Sequence, residues 1–154
     1  MKTRKYTKRR RAEQESETRR RIVEAVYALH AEIGPARTTI KAIAERAGVE
    51  RLTVYRHFAD EGEIFAACGA HFQAEIPPPD PGAWGAIQDP AERLRAALLA
   101  FYGYYRRGEK MLAKVNRDAA ELPALAAELA PFGRLVDAVR EDLQARWEPG
   151  EGAG

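Results

Sequence analysis

Residues 43–58, IAERAGVERLTVYRHF, limit the possible folds more than any other stretch of the chain. Small or apolar residues at positions 43, 44, 47, 49 and 54 have the spacing of two short helices on either side of a glycine. Ala44 would let these helices cross closely, Gly48 tolerates a left-handed turn, and Val49 would fill their junction. The pattern predicts a helix-turn-helix.

The second of these helices, over residues 51–58, carries many groups that form hydrogen bonds. We expect its core contributors to be Leu52, Val54, Tyr55 and Phe58. The exposed edge would then hold groups that reach phosphates and base edges, namely Arg51, Thr53, Arg56 and His57. A structural role is the alternative for two residues, with Tyr55 half-buried in the core and His57 closing a helix end.

The neighbouring segments also have helical periodicity. A first helix carries Ile22, Val26, Leu29 and Ile33 and ends at Gly34-Pro35. Thr38 or Thr39 can cap the second helix. Asp60, followed three residues later by Glu63, should cap a fourth helix that ends at PPPDPG, residues 77–82.

The C-terminal half is predicted to be helical as well. Asp89-Pro90-Ala91-Glu92 has the residues of a helix start. We expect this helix to end at Gly108, a shorter helix to pass through Met111 and Val115, and a long helix over residues 121–147 to be kinked or broken at Pro131. The sequence contains no alternating strand pattern, no repeat and no metal-ligand spacing.

These patterns predict an all-α chain with an N-terminal three-helix, helix-turn-helix domain followed by a short helical domain. The predicted boundaries are a disordered basic arm over residues 1–15, the helix-turn-helix domain over 16–60, a helical region over 61–148, and a tail over 149–154.

Positive charge is concentrated at the N-terminus. Ten Lys or Arg and three Glu give residues 1–21 a formal charge of +7, so the other 133 residues carry −5 within a net charge of +2. Such a block is suited to bind a polyanion, and the alternative is a tail that only improves solubility.

Composition argues against secretion and membrane insertion. The single cysteine, Cys68, cannot form an intramolecular disulfide, and no apolar run approaches the roughly 20 residues that span a bilayer. The basic N-terminus continues into Glu13, Glu15 and Glu17 rather than into an apolar signal segment. We therefore expect a cytoplasmic protein without a membrane partner.

Residues 38–58, TTIKAIAERAGVERLTVYRHF, resemble the TetR family of transcriptional regulators. The DNA-binding region of that family typically reads Thr-Thr, apolar, basic, any, Ile-Ala, then Ala-Gly-Val, then Thr-apolar-Tyr-any-His-Phe. The resemblance is strong over residues 18–72 and general beyond them. It implies a repressor that binds a palindromic operator in double-stranded DNA, dimerises, and is released by a small hydrophobic effector. The resemblance also implies that residues 61–148 are a short, truncated regulatory domain for ligand binding or dimerisation.

Carried over position by position, the resemblance assigns two sets of DNA contacts. Phosphates would be held by Thr39, Thr53, Tyr55 and His57. The major groove would face Lys41, Arg51 and Leu52. The planar fork of Arg51 suits guanine O6 and N7.

Two features depart from the family pattern. Glu61 and Gly62 stand where the family usually has a lysine and another helix former, so a phosphate anchor is replaced by a carboxylate. Family members also usually continue for two more long helices that build a four-helix dimer interface, whereas this sequence ends soon after Trp147. Either residues 121–147 dimerise, or the chain is a truncated member with weak self-association.

An aromatic set in the second half could form an effector pocket. Its members are Trp84, Phe101, Tyr102, Tyr104 and Tyr105, with Met111. An ordinary core is the alternative interpretation of this stripe.

Catalysis is the rival class of function. His30, His57, His71 and one cysteine form no motif that pairs a nucleophile with a base, and no glycine-rich stretch resembles a phosphate loop. We therefore predict neither an enzyme nor a cofactor. The other alternative is a DNA-binding module without an effector, such as a truncated paralogue.

Overall fold

A computed structural model describes the backbone of residues 2–147 and the side chains of residues 4–147. Over that range the chain contains helices and no strand, which confirms the predicted all-α class. The helices are α1 (Lys2–Glu32), a 3-10 turn (Pro35–Arg37), α2 (Ile40–Ala47), α3 (Arg51–His57), α4 (Glu61–Glu75), the single turn α5 (Gly82–Gly85), α6 (Pro90–Asp118) and α7 (Pro123–Ala145). The predicted tail, residues 149–154, lies outside the described residues.

Side-chain caps fix the starts of three helices where the sequence predicts them. Thr39 Oγ1 accepts a hydrogen bond from the backbone N–H of Ala42 at 3.1 Å, so Thr39 rather than Thr38 caps α2. Asp60 accepts from the N–H of Glu63 at 2.9 Å at the start of α4. Asp89 likewise accepts from Glu92 at 2.8 Å, which opens α6. Each cap contributes about 1 kcal/mol.

The turn between α2 and α3 has the predicted geometry. Gly48 is left-handed, with φ 67° and ψ 39°, a conformation that other residues adopt at a cost. The N–H of Val49 then bonds to the carbonyl of Ala44 at 3.0 Å, and the Val49 side chain packs against the core. The turn therefore sets the angle at which α3 leaves α2.

Two predicted helix breaks are wrong. Gly108 lies inside a continuous α6, where a Cβ would come within 2.8 Å of the Phe72 ring, so the glycine permits close packing against α4. Pro131 lies inside a continuous α7. The proline leaves the carbonyl of Ala127 without its helical donor, but Ala127 is exposed and water can replace the lost bond.

The basic N-terminal segment also differs from the prediction of disorder, because residues from Lys2 onward belong to α1. Lys, Arg, Glu and Gln are good helix formers, and carboxylates follow the basic residues at helical spacing. Arg9 pairs with Glu13 at 2.8 Å, and Arg20 pairs with both Glu17 and Glu24. These local pairs favour a helix over a disordered arm.

One core joins the two halves of the chain. α1 packs against α2, α4 and α6, while α7 packs against α4 and α6. The main apolar cluster runs from Ile22 on α1 through Val54 on α3 and Phe65 on α4 to Leu125 on α7. The helix-turn-helix is therefore continuous with the C-terminal helices through α1 and α4.

A second, smaller cluster lies at the opposite end of α6 and consists of Trp84, Ala97 and Val139 with their neighbours. The buried Arg93 closes it, donating to the Gly85 carbonyl and to Asp142, both at 2.7 Å. Arg93 thereby ties α5, α6 and α7 together. No helix between residues 2 and 147 combines the length and apolar character needed to cross a membrane.

Candidate nucleic-acid interface and internal cavity

α3 presents large side chains to solvent. Leu52 is 71% exposed and Tyr55 57% exposed, whereas Val54 and Phe58 are buried. The prediction that Leu52 and Tyr55 are core residues is therefore wrong, as is the half-buried alternative for Tyr55. Val54 and Phe58, the residue that follows the helix, place one side of α3 against the core, so residues on its other sides, such as Leu52 and Tyr55, point outward.

Exposed cations flank these side chains. Arg51 and Arg56 are exposed, and within the described part of the chain neither has an ion-pair partner. Thr53 and His57 are partly buried on the same short helix. The surface formed by Arg51, Leu52, Thr53, Tyr55, Arg56 and His57 is called the α3 surface below.

Two other arginines instead hold the motif in place. Arg19 on α1 donates to the carbonyl of His57 at 2.8 Å, and its guanidinium lies 4.3 Å from the centre of the Phe58 ring. Arg46 on α2 makes two hydrogen bonds to Glu32, at 2.9 and 2.7 Å. The contact from Arg19 satisfies a carbonyl at the C-terminus of α3, so α3 is fixed on α1 as well as on α2.

The N-terminus of α2 adds polar groups. Thr39 is exposed, and its hydroxyl can still donate while its oxygen caps the helix. Lys41 is exposed and lies 3.9 Å from Glu45, a solvent-screened pair of small energetic value. Backbone N–H groups at this helix start favour an anion.

A cavity of about 640 Å³ lies among α1, α4, α6 and α7. Most of its lining is apolar or aromatic, with a few polar groups. The lining includes His30, Cys68, Tyr104, Tyr105, Glu128 and Phe132. Tyr104 and Phe132 are stacked, with ring centres 5.1 Å apart. The volume and the lining are those of a small-molecule site.

Burial determines the protonation of the polar groups in this cavity. Desolvation lowers the pKa of His30 to about 4, against a smaller opposing effect of Asp118. Burial raises the pKa of the Cys68 thiol to about 12 and also raises that of Tyr104. All three groups are therefore neutral at pH 7.

The charged groups in the cavity wall are acidic. Glu128 and Asp137 belong to the lining, and none of the described lining residues is Lys or Arg. Asp137 pairs with Arg140 at 3.3 Å. Glu128 has no such ion pair within the described chain, and its Oε1 lies over Gly69, where a Cβ would be 3.0 Å away.

Only some of the residues that the sequence predicted for a pocket line this cavity. Tyr105 and Met111 line it, as does Tyr104. Trp84 is buried in the second cluster with Phe101 packed beside it, and Tyr102 is exposed on the outside of α6. The prediction is wrong for Trp84, which lies on α5 and packs in the second cluster. It is wrong for Phe101 and Tyr102 because a continuous α6 points successive aromatic residues in different directions.

Most of the cavity wall was not predicted from the sequence. Phe65, Cys68 and Phe72 have the spacing of a core face on α4, and Phe132 and Glu128 lie on α7. Helical spacing identifies each apolar face but not the face that it packs against. The sequence therefore contains no signal that α7 packs against α4.

The end of α6 is hydrogen-bonded to the segment that precedes α2. Asp118, the last residue of α6, accepts from the N–H of Ala36 at 2.9 Å. Val115 and Asn116, within the preceding turn, line the cavity. The cavity wall is thus joined to the turn before α2, because the helix that lines the cavity ends at Asp118 and Asp118 is hydrogen-bonded to Ala36.

Comparison with known families identifies the motif. The family described as "Bacterial regulatory proteins, tetR family" matches residues 22–68. This range contains the C-terminal part of α1, all of α2 and α3, and the first half of α4. Residues 22–68 therefore form a helix-turn-helix domain of the kind found in the TetR family.

A known transcriptional regulator resembles part of the chain in sequence. The HTH-type transcriptional regulator TtgR of Pseudomonas putida is 44% identical over 59 residues, which are 38% of this chain. The matched stretch spans 28% of TtgR, little more than a quarter of its length.

Two solved structures match over a larger share. A TetR-family protein from Mesorhizobium loti MAFF303099 has a TM-score of 0.56 at 19% identity, over 86% of this chain and 68% of its own. The multidrug binding protein EbrR, complexed with imidazole, has a TM-score of 0.55 at 25% identity, over 86% and 70%. The TetR-like fold therefore extends beyond the DNA-binding motif.

Proposed function

We propose that the chain is a sequence-specific DNA-binding transcriptional regulator of the cytoplasm, acting as a homodimeric repressor that a small hydrophobic effector releases from a palindromic operator. The observation that carries the proposal is the α3 surface, where exposed Leu52 and Tyr55 lie beside the unpaired cations Arg51 and Arg56. Large apolar side chains with free arginines on one short helix are typical of an interaction surface for a polyanion.

The proposed DNA-binding residues form two groups, one that contacts base edges and one that contacts phosphates. Arg51 at the start of α3 can read guanine O6 and N7, and Leu52 and Lys41 would contact neighbouring base edges. Phosphate contacts would come from Thr39 at the helix start and from Thr53, Tyr55 and His57. Arg56 is placed to add a further phosphate contact.

The cavity supports the effector part of the proposal. Its volume of about 640 Å³ and its aromatic lining suit a compact apolar molecule. Because Glu128 is unpaired and no described lining residue is Lys or Arg, the cavity should prefer a neutral or cationic compound to an anion. The name of EbrR, a multidrug binding protein, is compatible with a small-molecule ligand.

Release would use the connection at the end of α6. A ligand that separates α6 from α4 or α7 would displace Asp118, which holds the turn before α2 through Ala36. A shift of that turn changes the position of the helix-turn-helix relative to DNA. The ligand acts only if it binds the displaced conformation more tightly than the DNA-binding one.

A second candidate is a DNA-binding module without an effector. The family match favours it, because the matched residues, 22–68, are confined to the helix-turn-helix and parts of its flanking helices. In this case the cavity would be a packing defect among the aromatic residues of α6 and α7.

Selection of bound sequences from a random DNA pool tests the proposed function. We expect enrichment of an inverted repeat, and Arg51→Ala should reduce that enrichment while an exposed control, Arg107→Ala on α6, should not. Recovery of random sequence would contradict sequence-specific regulation. Adding hydrophobic compounds to the selected complex then separates the candidates, since release by none of a broad panel supports the module without an effector.

A further inference from the structure

His30 has a buried imidazole with no hydrogen-bond partner in the described part of the chain. The residue lies on the last turn of α1, is 3% exposed, and packs its ring against Phe65, with ring centres 5.9 Å apart. No side chain or backbone group of residues 4–147 is hydrogen-bonded to either ring nitrogen. Buried polar groups in proteins are normally hydrogen-bonded, by the protein itself, by water or by a ligand. The partner of this imidazole is therefore a water or a bound molecule.

Asp118 does not serve as that partner. Its carboxylate lies close enough to oppose, in part, the effect of burial on the pKa of His30. Both carboxylate oxygens already accept hydrogen bonds, one from Arg117 and the other from the N–H of Ala36. With its pKa held at about 4, the imidazole is neutral at pH 7 and presents one N–H donor and one acceptor nitrogen.

The imidazole belongs to the lining of the internal cavity. Most of the buried side chains in that lining are apolar or, like Cys68, only weakly polar. Among the described lining residues, Tyr104 is the other buried one with a strong hydrogen-bonding group. Tyr104 packs edge-on against Phe72, about two turns along α4 from Phe65, so the hydroxyl of Tyr104 and the imidazole of His30 serve different parts of the cavity.

We propose that His30 is the residue with which the cavity recognises its ligand, and that this ligand is a compact aromatic compound bearing a hydroxyl group. A hydroxyl both donates and accepts, so it can pair with either nitrogen of a neutral imidazole and reproduce the hydrogen bonds of a water that it displaces. A purely apolar compound would leave the imidazole buried and unpaired, which is unfavourable. This role of His30 rests on the effector part of the proposed function, and it specifies the chemistry of that effector.

The position of His30 brings such a ligand next to the helix-turn-helix. The backbone carbonyl of His30 accepts a hydrogen bond from the N–H of Gly34 at 3.1 Å, where the chain turns toward α2. A ligand bonded to the imidazole thus contacts the last turn of α1 itself. An apolar ligand of the same size could act only by separating the helices of the cavity.

Two probes of nearly equal shape test the role of His30. 2-Naphthol carries a hydroxyl where 2-methylnaphthalene carries a methyl group, and calorimetric titration without DNA gives the ratio of their affinities. The methyl compound is the more hydrophobic, so a cavity that recognises only apolar surface would prefer it. We expect the unaltered chain to prefer 2-naphthol, and His30→Phe to shift the ratio toward 2-methylnaphthalene by about tenfold or more.

Two matched controls accompany this variant. Tyr104→Phe removes a hydroxyl from another part of the same cavity, and His71→Phe removes an imidazole that does not line it. Both should keep the ratio of affinities within about threefold of its original value. An unchanged ratio in His30→Phe, or an equal shift in Tyr104→Phe, would overturn the proposal while leaving a ligand site in place. If neither probe binds, the effector part of the proposed function fails as well.

A direct measurement covers the case in which His30→Phe does not fold. Nitrogen NMR of the unaltered chain observes its three imidazoles, and the variants His57→Gln and His71→Gln identify the signals of His30 by elimination. 2-Naphthol should shift the ring-nitrogen signals of His30, because those signals respond to hydrogen bonding, and 2-methylnaphthalene should leave them nearly unchanged. Equal responses to the two probes would contradict a hydrogen bond between the hydroxyl and His30.

Discussion

The carboxylate of Asp118 accepts a hydrogen bond from the backbone N–H of Ala36 at 2.9 Å, across 82 residues of sequence. Arg117 Nε donates to the same carboxylate at 2.6 Å, and this bond holds the pKa of Asp118 below its usual range. The end of a cavity-lining helix is thus attached to the turn before α2. Asp118 is buried, so this attachment contributes to the stability of the fold.

Replacing Asp118 with Asn should lower the free energy of unfolding by about 1–3 kcal/mol at pH 7, because the amide is a weaker acceptor for Arg117 and Ala36. The folded pKa is depressed, so the carboxylate stabilises above its unfolded pKa near 4, and this contribution is lost as pH falls through the folded pKa. Urea unfolding at several pH values measures both effects. Asp137→Asn, at an exposed pair, should change stability little, and an equal loss there would contradict the assignment.

His30 should make stability depend on pH between about 6.5 and 4. The unfolded chain binds a proton on this imidazole near pH 6.5, whereas the folded chain binds it only near pH 4, so stability falls as pH is lowered across that window. The full loss is roughly 3 kcal/mol at most. His30→Phe should flatten the curve of unfolding free energy against pH in this window. His71→Gln is the control and should retain the slope; a slope that survives in His30→Phe would refute the prediction.

Arg51→Ala should cost about 1–3 kcal/mol of binding on the preferred DNA site and relax the preference at one base position. Tyr55→Phe provides the contrast, because removing a hydrogen bond to phosphate should weaken specific and random DNA alike. Fluorescence anisotropy on both kinds of DNA distinguishes the two patterns. If Arg51→Ala weakens both equally, Arg51 contacts phosphate rather than a base.

Deletion of residues 1–11 should lower DNA affinity and flatten the dependence of log K on log salt by roughly 0.9 for each phosphate that the segment neutralises. A second variant, with the seven basic residues before Ala12 changed to Gln, keeps helix-forming residues and removes only their charge. Both variants should behave alike in a salt series. Lines parallel to that of the full chain would mean that this segment touches no phosphates.

Glu128 should determine the charge preference of the cavity. Tetraphenylphosphonium and tetraphenylborate are nearly equal in size and opposite in charge, so their relative affinity isolates the electrostatic contribution. We expect the cation to bind more tightly, and Glu128→Gln to reduce that preference by about tenfold. Calorimetric titration measures the two affinities. A preference for the anion, or one that Glu128→Gln leaves unchanged, would contradict the role of this carboxylate.

Features encoded over a few residues were predicted well from the sequence. The caps at Asp60 and Asp89, the turn at Gly48 and the apolar spacing of α1 and α2 each depend on local chemistry. The helix breaks predicted at Gly108 and Pro131 are wrong because those predictions, too, considered only local chemistry. Each residue is locally unfavourable in a helix, and tertiary packing or solvent exposure compensates for it.

The α3 surface shows a different limit of sequence reasoning. Apolar character predicts burial, so Leu52 and Tyr55 were expected in the core, while the family pattern placed the same two residues on DNA. Their exposure is compatible with the second expectation. Beyond Tyr104, Tyr105 and Met111, the cavity wall could not be predicted because it depends on how α7 approaches α4, which no short spacing encodes.

The reactivity of the single cysteine can report how often the packed helices open. Cys68 lines the cavity, is buried, and has a pKa of about 12, so its thiolate form is scarce and inaccessible while the helices stay packed. Alkylation therefore requires the molecule to open, and the labelling rate at neutral pH reports how often α4 separates from its neighbours. A compound that occupies the cavity should slow this chemistry in proportion to its occupancy, so ligand binding can be followed by mass spectrometry without any engineered label.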